Sequence, residues 1–453
     1  MILKPGDESA GSSPATQLGN AGISRPWLNA ALLIVAVGLG GILVWAARPV
    51  ARIKLPSTVP DFPASTLAFE KANLGQAGKS AIRTTNVQIV DFDRDRLNDI
   101  LVCDAARNAV LLYKQLPGGK WEERVLGSDL KCPAHATVAD LDGDGDSDLL
   151  VAVLGSITPS DEYVGRVVLL QNQGDNRNFS QRVLLDDVRR VADVQAGDLD
   201  GDGDLDLTVA VFGYARGEVL WMENLGEGRF CDHQLLFRPG AIHVPIGDLD
   251  GDGDLDIATI ISQDEEELWV FENLGRGQFK KRRIYDTPNY DVGSAGLLMV
   301  DLDRDGDLDL VLPQGDNLED GYASPQPWHG CVWFENLGKW TFRAKRIASF
   351  GATYAAAVGD MDGDHDLDIV LVSLVNDWTG QHQPSIVWLE NDGRQNFKPF
   401  VIDRSPAGLV TVACGDLNGD GRADIVAGSL NLPPAIERGF ERVTFWTSRG
   451  GGR

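Results

Sequence analysis

Basic residues are scarce in this chain. Lys and Arg total 41 against 67 Asp and Glu, a formal charge of −26 over 453 residues. A field of that sign repels a phosphate backbone, which argues against nucleic acid as a partner. Cysteine is scarce as well: Cys103, Cys132, Cys231, Cys331 and Cys414 are widely spaced and odd in number. No CxxC or CxxCH occurs, so a cysteine zinc site and covalent haem attachment are unsupported, and buried thiols are the expectation. A Cys103–Cys132 bridge would require a domain outside the cytosol. A nucleophile elbow, a phosphate loop, HExxH and a dinucleotide fingerprint are all missing, so no motif names a reaction. With 43% apolar residues and acidic charge that recurs at intervals, the chain does not read as disordered.

One long uncharged run stands near the N-terminus. Residues 27–47 read WLNAALLIVAVGLGGILVWAA, 21 residues, enough to cross a bilayer as a helix. The tail over 1–26 is polar and not strongly basic, so an uncleaved signal anchor is expected; a cleaved signal ending at Val44-Trp45-Ala46 is the competing reading. Arg48, Arg52 and Lys54 follow the span, and positive-inside counting would hold the remainder in the cytosol. Pro49, Pro56, Pro60 and Pro63 make 48–64 a stiff linker, and a folded domain is expected over 65–453.

That domain is a repeat. Acidic loops begin at Asp91, Asp140, Asp198, Asp248, Asp301, Asp360 and Asp416, spaced by 49, 58, 50, 53, 59 and 56 residues. Each is preceded by a short run such as VADVQAG and followed by an apolar one such as DLTVAVF. About ten residues later comes a third run ending in a hairpin signal, as in VLWMENLGEGRF or VWLENDGRQNF, and then a fourth. Four short strands per period, with no helix-period segment between them, predict an all-β fold: a seven-bladed β-propeller of four-stranded antiparallel blades. The last repeat runs out after three strands, so the segment STLAFEKANL (65–74) is expected to supply its outer strand and close the ring.

The loops read DLDGDGDLD at 198–206 and again at 248–256. Two carboxylates about 4 Å apart repel by up to about 4 kcal/mol at an effective dielectric near 20, so several per loop call for a counter-ion. Side-chain oxygens at positions 1, 3, 5 and 9, with a backbone carbonyl at position 7, suit a hard cation with six to eight oxygen ligands, hence Ca²⁺. The expected ligands are Asp91, Asp93, Asp95 and Asp99 in the first loop and Asp140, Asp142, Asp144 and Asp148 in the second. They are Asp198, Asp200, Asp202 and Asp206 in the third, Asp248, Asp250, Asp252 and Asp256 in the fourth, and Asp301, Asp303, Asp305 and Asp309 in the fifth. Asp360, Asp362, Asp364 and Asp368 follow in the sixth, and Asp416, Asn418, Asp420 and Asp424 in the seventh, for up to seven structural Ca²⁺ ions. An EF-hand needs Glu at position 12 and flanking helices; Val151 and Val209 stand there, inside β-like runs. The copies differ. Arg304 and His365 replace glycines, and Arg94 and Arg96 surround the carboxylates of the first loop, the weakest of the seven.

These loops and the W-x-E-N-x-G turns resemble the FG-GAP/VCBS repeats of integrin alpha-subunit propellers and of many bacterial exported proteins, over about residues 65–453. The resemblance implies a propeller with Ca²⁺ in the loops between first and second strands. The Phe-Gly and Gly-Ala-Pro elements of integrin repeats are absent; VAVF or VLVS stand instead, nearer the bacterial VCBS type, so integrin-like recognition is not carried over. Such loops fill where Ca²⁺ is near millimolar, which favours an extracytoplasmic domain despite the flanking charges.

Recognition is expected on the face opposite the loops, where connections are longer and unlike one another. They carry Asp316, Trp328, His329 and Trp378, aromatics beside carboxylates, as a glycan- or peptide-binding surface needs. Five residues before each loop lie Asn86, His135, Asp193, His243, Gly296, Ala355 and Thr411, expected to ring the mouth of the central channel. His135, Asp193 and His243 come from consecutive blades and are candidates for metal binding, acid–base work or a plain hydrogen-bonded lining. The expected function is that of a membrane-anchored Ca²⁺-binding module for a protein or carbohydrate partner. The alternative is an exported polysaccharide hydrolase or lyase with its site in the funnel.

Overall fold

The computed structural model describes residues 62–449 apart from 76–81, 264, 290–291, 317–325, 375–382 and 432–440. The expected span at 27–47 and Trp378 lie outside the described residues, among which no helix is long and apolar enough to cross a membrane.

Seven four-stranded antiparallel sheets follow one another along the chain. Strands A to D run from the channel outward. Blade 1 is Thr84–Val90, Asp99–Asp104, Ala109–Leu116 and Lys120–Gly127; blade 2 is Pro133–Ala139, Asp148–Val153, Gly165–Asn172 and Phe179–Val188. Blade 3 is Val191–Gly197, Asp206–Val211, Glu218–Asn224 and Phe230–Phe237; blade 4 is Ile246–Gly247, Asp256–Ile261, Glu266–Asn273 and Phe279–Thr287. Blade 5 is Leu298–Val300, Asp309–Gln314, Gly330–Asn336 and Phe342–Ser349; blade 6 is Thr353–Gly359, Asp368–Ser373, Ile386–Asn391 and Phe397–Asp403. Every B strand is buried along its whole length, which is why these runs read as continuous apolar sequence rather than alternating.

Blade 7 takes Leu409–Gly415, Asp424–Ser429 and Val443–Arg449 from the end of the chain and Ala68–Leu74 from its beginning. The register runs from Ala68 opposite Arg449 to Leu74 opposite Val443. This is the outer strand the last repeat lacked. Residues just before it lie along blade 6: Ser65 N–H donates to Val401 O at 2.8 Å, and Trp388 Nε1 donates to Ser65 Oγ at 2.9 Å.

The core lies between blades. Leu101 and Leu112 of blade 1 pack with Leu149 and Val151 of blade 2, and Val426 and Val443 of blade 7 pack with Val87 and Leu111 of blade 1. Each buried aliphatic side chain contributes about 1.5–3 kcal/mol, and a lone blade would forfeit both its faces. The five cysteines are free thiols, so the Cys103–Cys132 bridge is not formed; both side chains are buried, Cys103 in strand B of blade 1 and Cys132 in the bend just before blade 2.

Candidate functional site

All seven A–B loops share one construction. The first Asp accepts the backbone N–H of position 6, as Asp198 Oδ2 does from Gly203 at 3.1 Å. The fifth accepts from position 7, as Asp202 Oδ1 does from Asp204 at 2.9 Å. Positions 4 and 6 have positive φ even where glycine is replaced: Arg304 at 58°, His365 at 75°, Arg94 at 59° and Arg96 at 73°. The loop shape therefore survives its substitutions. The ninth Asp starts the B strand and, in loops two to seven, clamps the turn; Asp256 Oδ2 accepts from Leu249 N at 2.9 Å and Oδ1 from Asn273 N at 2.8 Å. The C–D hairpin asparagine is fastened to the same turn, Asn273 Nδ2 donating to Leu255 O at 3.0 Å and to Leu199 O of the preceding loop at 2.8 Å.

The donor chemistry fits Ca²⁺. Carboxylate oxygens of Asp140, Asp142 and Asp144, of Asp198, Asp200 and Asp202, and of Asp248, Asp250 and Asp256 lie within 4.8 Å of one another in each set. Asp140 Oδ1, Asp250 Oδ1 and Asp303 Oδ1 are buried without a hydrogen-bond partner, as ion ligands would be. Burial raises the position-9 carboxyls, to about 6 for Asp206, about 7 for Asp256 and Asp309 and about 8 for Asp368; their backbone hydrogen bonds offset this only partly.

The first loop differs. Lys114, on strand C, places Nζ 2.6 Å from Asp93 Oδ1, 2.6 Å from Asp95 Oδ2 and 3.7 Å from Asp99 Oδ1. Its side chain is 5% exposed, and burial alone would favour the neutral amine. The bonds to Asp93 and Asp95 outweigh burial and hold it protonated.

On the opposite face the channel opens into a cavity of about 720 Å³. Asn86, His135, Asp193, His243, Gly296, Ala355 and Thr411, one from each blade, all line it. In five blades the A strand carries a register break just before this residue, at Thr84/Asn86, Pro133/His135, Val191/Asp193, Thr353/Ala355 and Leu409/Thr411. A bulge there re-aims the side chain that follows it.

Asp193 is fully buried and joins three blades. Its Oδ1 lies 2.9 Å from His135 Nδ1 of blade 2 and accepts from Gln195 Nε2 at 3.0 Å. Its Oδ2 lies 3.5 Å from His243 Nδ1 and accepts the Val244 N–H at 3.0 Å, both at the entrance to blade 4. Burial would raise the Asp193 pKa, but the charge and hydrogen bonds of the two imidazoles outweigh it and hold the carboxyl far below the ordinary range. The rings stand edge-to-face with centroids 6.5 Å apart. With both Nδ1 atoms turned to Asp193, each Nε2 is left without a hydrogen bond among the described residues.

The model of FG-GAP-like repeats matches residues 91–151, 248–312 and 372–427. The chain carries FG-GAP-like repeats at these three places of its seven-bladed propeller. Among solved structures, the BBS1N–ARL6DN complex soaked with lead is similar at TM-score 0.50 and 11% identity, covering 85% of this chain and 96% of that one. Virginiamycin B lyase from Staphylococcus aureus is similar at TM-score 0.52 and 12% identity, covering 84% and 99%. At these identities the likeness is one of fold. No curated protein sequence matches the chain.

The propeller brings His135, Asp193, His243 and Asp316 onto the wall of one cavity. Trp328 and His329 are not on it. His329 is buried and accepts the N–H groups of Gln326 and Ala352 on Nδ1, at 3.2 and 3.0 Å, and burial pushes its pKa down to about 4. It braces the start of blade 5's third strand. Trp328 contributes its carbonyl to Arg346 at 2.7 Å. Arg190, Phe212 and Tyr354 also line the cavity, with the Arg190 guanidinium 4.5 Å from the Phe212 ring. Arg190 sits just before the repeated run VADVQAG, at a position that carries no repeat signal.

Proposed function

We propose that this FG-GAP propeller is a Ca²⁺-stapled binding module, tethered outside the cytosol through residues 27–47, that holds a carbohydrate residue in the cavity opposite its ion loops. The observation that carries this reading is buried Asp193, which fixes two imidazoles from different blades on the wall of a cavity about 720 Å³ in volume. That volume is in the range of small-ligand pockets, roughly 300–1,000 Å³, and an apolar wall with a few convergent polar groups is their usual chemistry. It admits a sugar unit or a short peptide rather than the face of a folded protein.

In the loops, Asp and Asn oxygens would hold six Ca²⁺ ions, from the second loop to the seventh, while Lys114 serves the first. When bound, the ion neutralises the carboxylates that crowd each A–B turn. The chain's own contribution is to pre-form the turn with backbone hydrogen bonds and to tie it to strands B and C.

A second reading is a polysaccharide lyase. Asp193 is ionised and engaged by four donors, so it is poorly placed as one of the two carboxyls that glycoside hydrolysis requires. The His135 and His243 Nε2 atoms are suited to take and return protons. A glycan array and a turnover assay on wild type and on His135→Ala/His243→Ala separate the readings. Binding without product, weakened in the double variant, supports the module. Product formation lost in the variant supports the lyase, peptide binding alone replaces the carbohydrate, and an unaffected variant reduces the pair to channel lining.

A further inference from the structure

Blade 3 carries a second cluster, on the outer hairpin and away from the channel. Glu223 on strand C faces Cys231 on strand D, and Trp221 faces His233. One ligand atom from each of Glu223, Cys231 and His233 lies within 4.8 Å of the others. His233 Nε2 is 2.8 Å from Glu223 Oε2, and its ring stacks on Trp221 with centroids 4.5 Å apart and planes 23° apart. Cys231 is a free, exposed thiol.

The same seats in the next two blades hold a different chemistry. In blade 4, Glu272 faces Lys280, with Arg282 on the diagonal, and they approach it to 3.0 and 2.7 Å. In blade 5, Glu335 faces Arg343, and Arg343 and Lys345 approach it to 3.2 and 2.9 Å, with Lys345 4.2 Å over the Trp333 ring. Two basic side chains thus neutralise each glutamate. Blade 3 keeps the glutamate of both blades and the tryptophan of blade 5, where blade 4 has Val270, and replaces both bases, putting a thiol where Lys280 and Arg343 stand and an imidazole where Arg282 and Lys345 stand. A thiol cannot supply the missing positive charge, but a thiolate, an imidazole and a carboxylate together can bind one.

We propose that Glu223, Cys231 and His233 form a site for a divalent transition metal of the zinc class. Thiolate and imidazole select such an ion over Ca²⁺, and three protein ligands on an exposed hairpin leave a coordination position open to water. On binding, the thiol releases its proton to solvent, and the proton that His233 Nε2 shares with Glu223 passes to Nδ1 or to solvent as the Nε2 lone pair turns to the metal. Trp221 holds the ring in place, so little side-chain freedom is lost.

The test is to titrate the full chain with Co²⁺, with the Asp loops saturated by Ca²⁺ and a phosphine present as reductant. One equivalent should raise a thiolate-to-cobalt charge-transfer band that Zn²⁺ displaces. Cys231→Ser should abolish the band, and His233→Gln and Glu223→Gln should each weaken Co²⁺ binding at least about tenfold. These side chains are partly exposed, so unchanged thermal melts will show that the variants fold. The proposal is overturned by no band in the wild type, by a band that survives Cys231→Ser, or by unchanged Co²⁺ affinity in His233→Gln and Glu223→Gln, which would leave only a lone surface thiol.

Discussion

Lys114 Nζ stands 2.6 Å from Asp93 Oδ1, so the first acidic loop carries its own cation. Among the described residues no basic side chain pairs with the ligand carboxylates of loops two to five. The seventh loop has only Arg422 at 2.8 Å from Asp420, and the sixth only His365 at 3.5 Å from Asp360. Equilibrium dialysis with metal analysis should therefore count six Ca²⁺ per chain. Lys114→Gln should raise the count to seven. A wild-type count of seven would remove Lys114 from this role.

Chelation should lower the melting temperature strongly. Each site binding the folded chain alone adds about 2.7 kcal/mol when free Ca²⁺ is a hundred times its Kd. Six such sites together add about 16 kcal/mol, as much as or more than the roughly 5–15 kcal/mol that keeps a domain folded. Scanning calorimetry in Ca²⁺ and in excess chelator measures the difference, and coincident melts would contradict the staple.

The pH dependence should change sign with the ion. In the ion-free chain the position-9 carboxyls are raised from 3.8 to about 7 in Asp256 and Asp309 and about 8 in Asp368, chiefly by burial. The folded chain then binds protons that the unfolded chain has released, so stability should fall as pH rises from about 4 to about 8. Bound Ca²⁺ favours the ionised form, so the decline should vanish or reverse and binding should release protons. Urea titrations across that window, with and without Ca²⁺, test both halves.

Asp193→Ala removes the acceptor for Gln195 Nε2, for Val244 N–H and for two imidazoles. A cost of roughly 1–3 kcal/mol is expected from the orphaned donors, together with loss of ligand binding in the cavity. Asp193→Asn should keep most of the stability while disturbing the imidazoles. Chemical denaturation and ligand titration on both variants separate bracing from recognition.

Removing residues 62–74 should open the ring. It strips the strand that pairs with Val443–Arg449 and leaves a free edge beside blade 6. Size-exclusion chromatography should show aggregation or expansion, and a peptide of residues 62–74 added in trans should restore a monodisperse peak.

The architecture was legible because it is written in local pattern. Apolar B strands, hairpin asparagines and glycines and the acidic turns recur along the chain, and the missing strand of the last repeat could be counted. The acidic turns themselves needed no tertiary information, since each is a run of nine contiguous residues. Tertiary structure decided what lies beyond a single repeat. Lys114 enters the first loop from a strand 21 residues after Asp93, so nothing in DFDRDRLND by itself could reveal it. His135, Asp193 and His243 were visible as equivalent positions, but their union depends on backbone bulges and on the closing of three blades around one carboxylate. His329 read as a surface ligand beside Trp328 until folding buried it against two backbone N–H groups. Short-range geometry is set by neighbours in sequence, whereas the charge state and exposure of a side chain are set by whatever the closed ring packs against it.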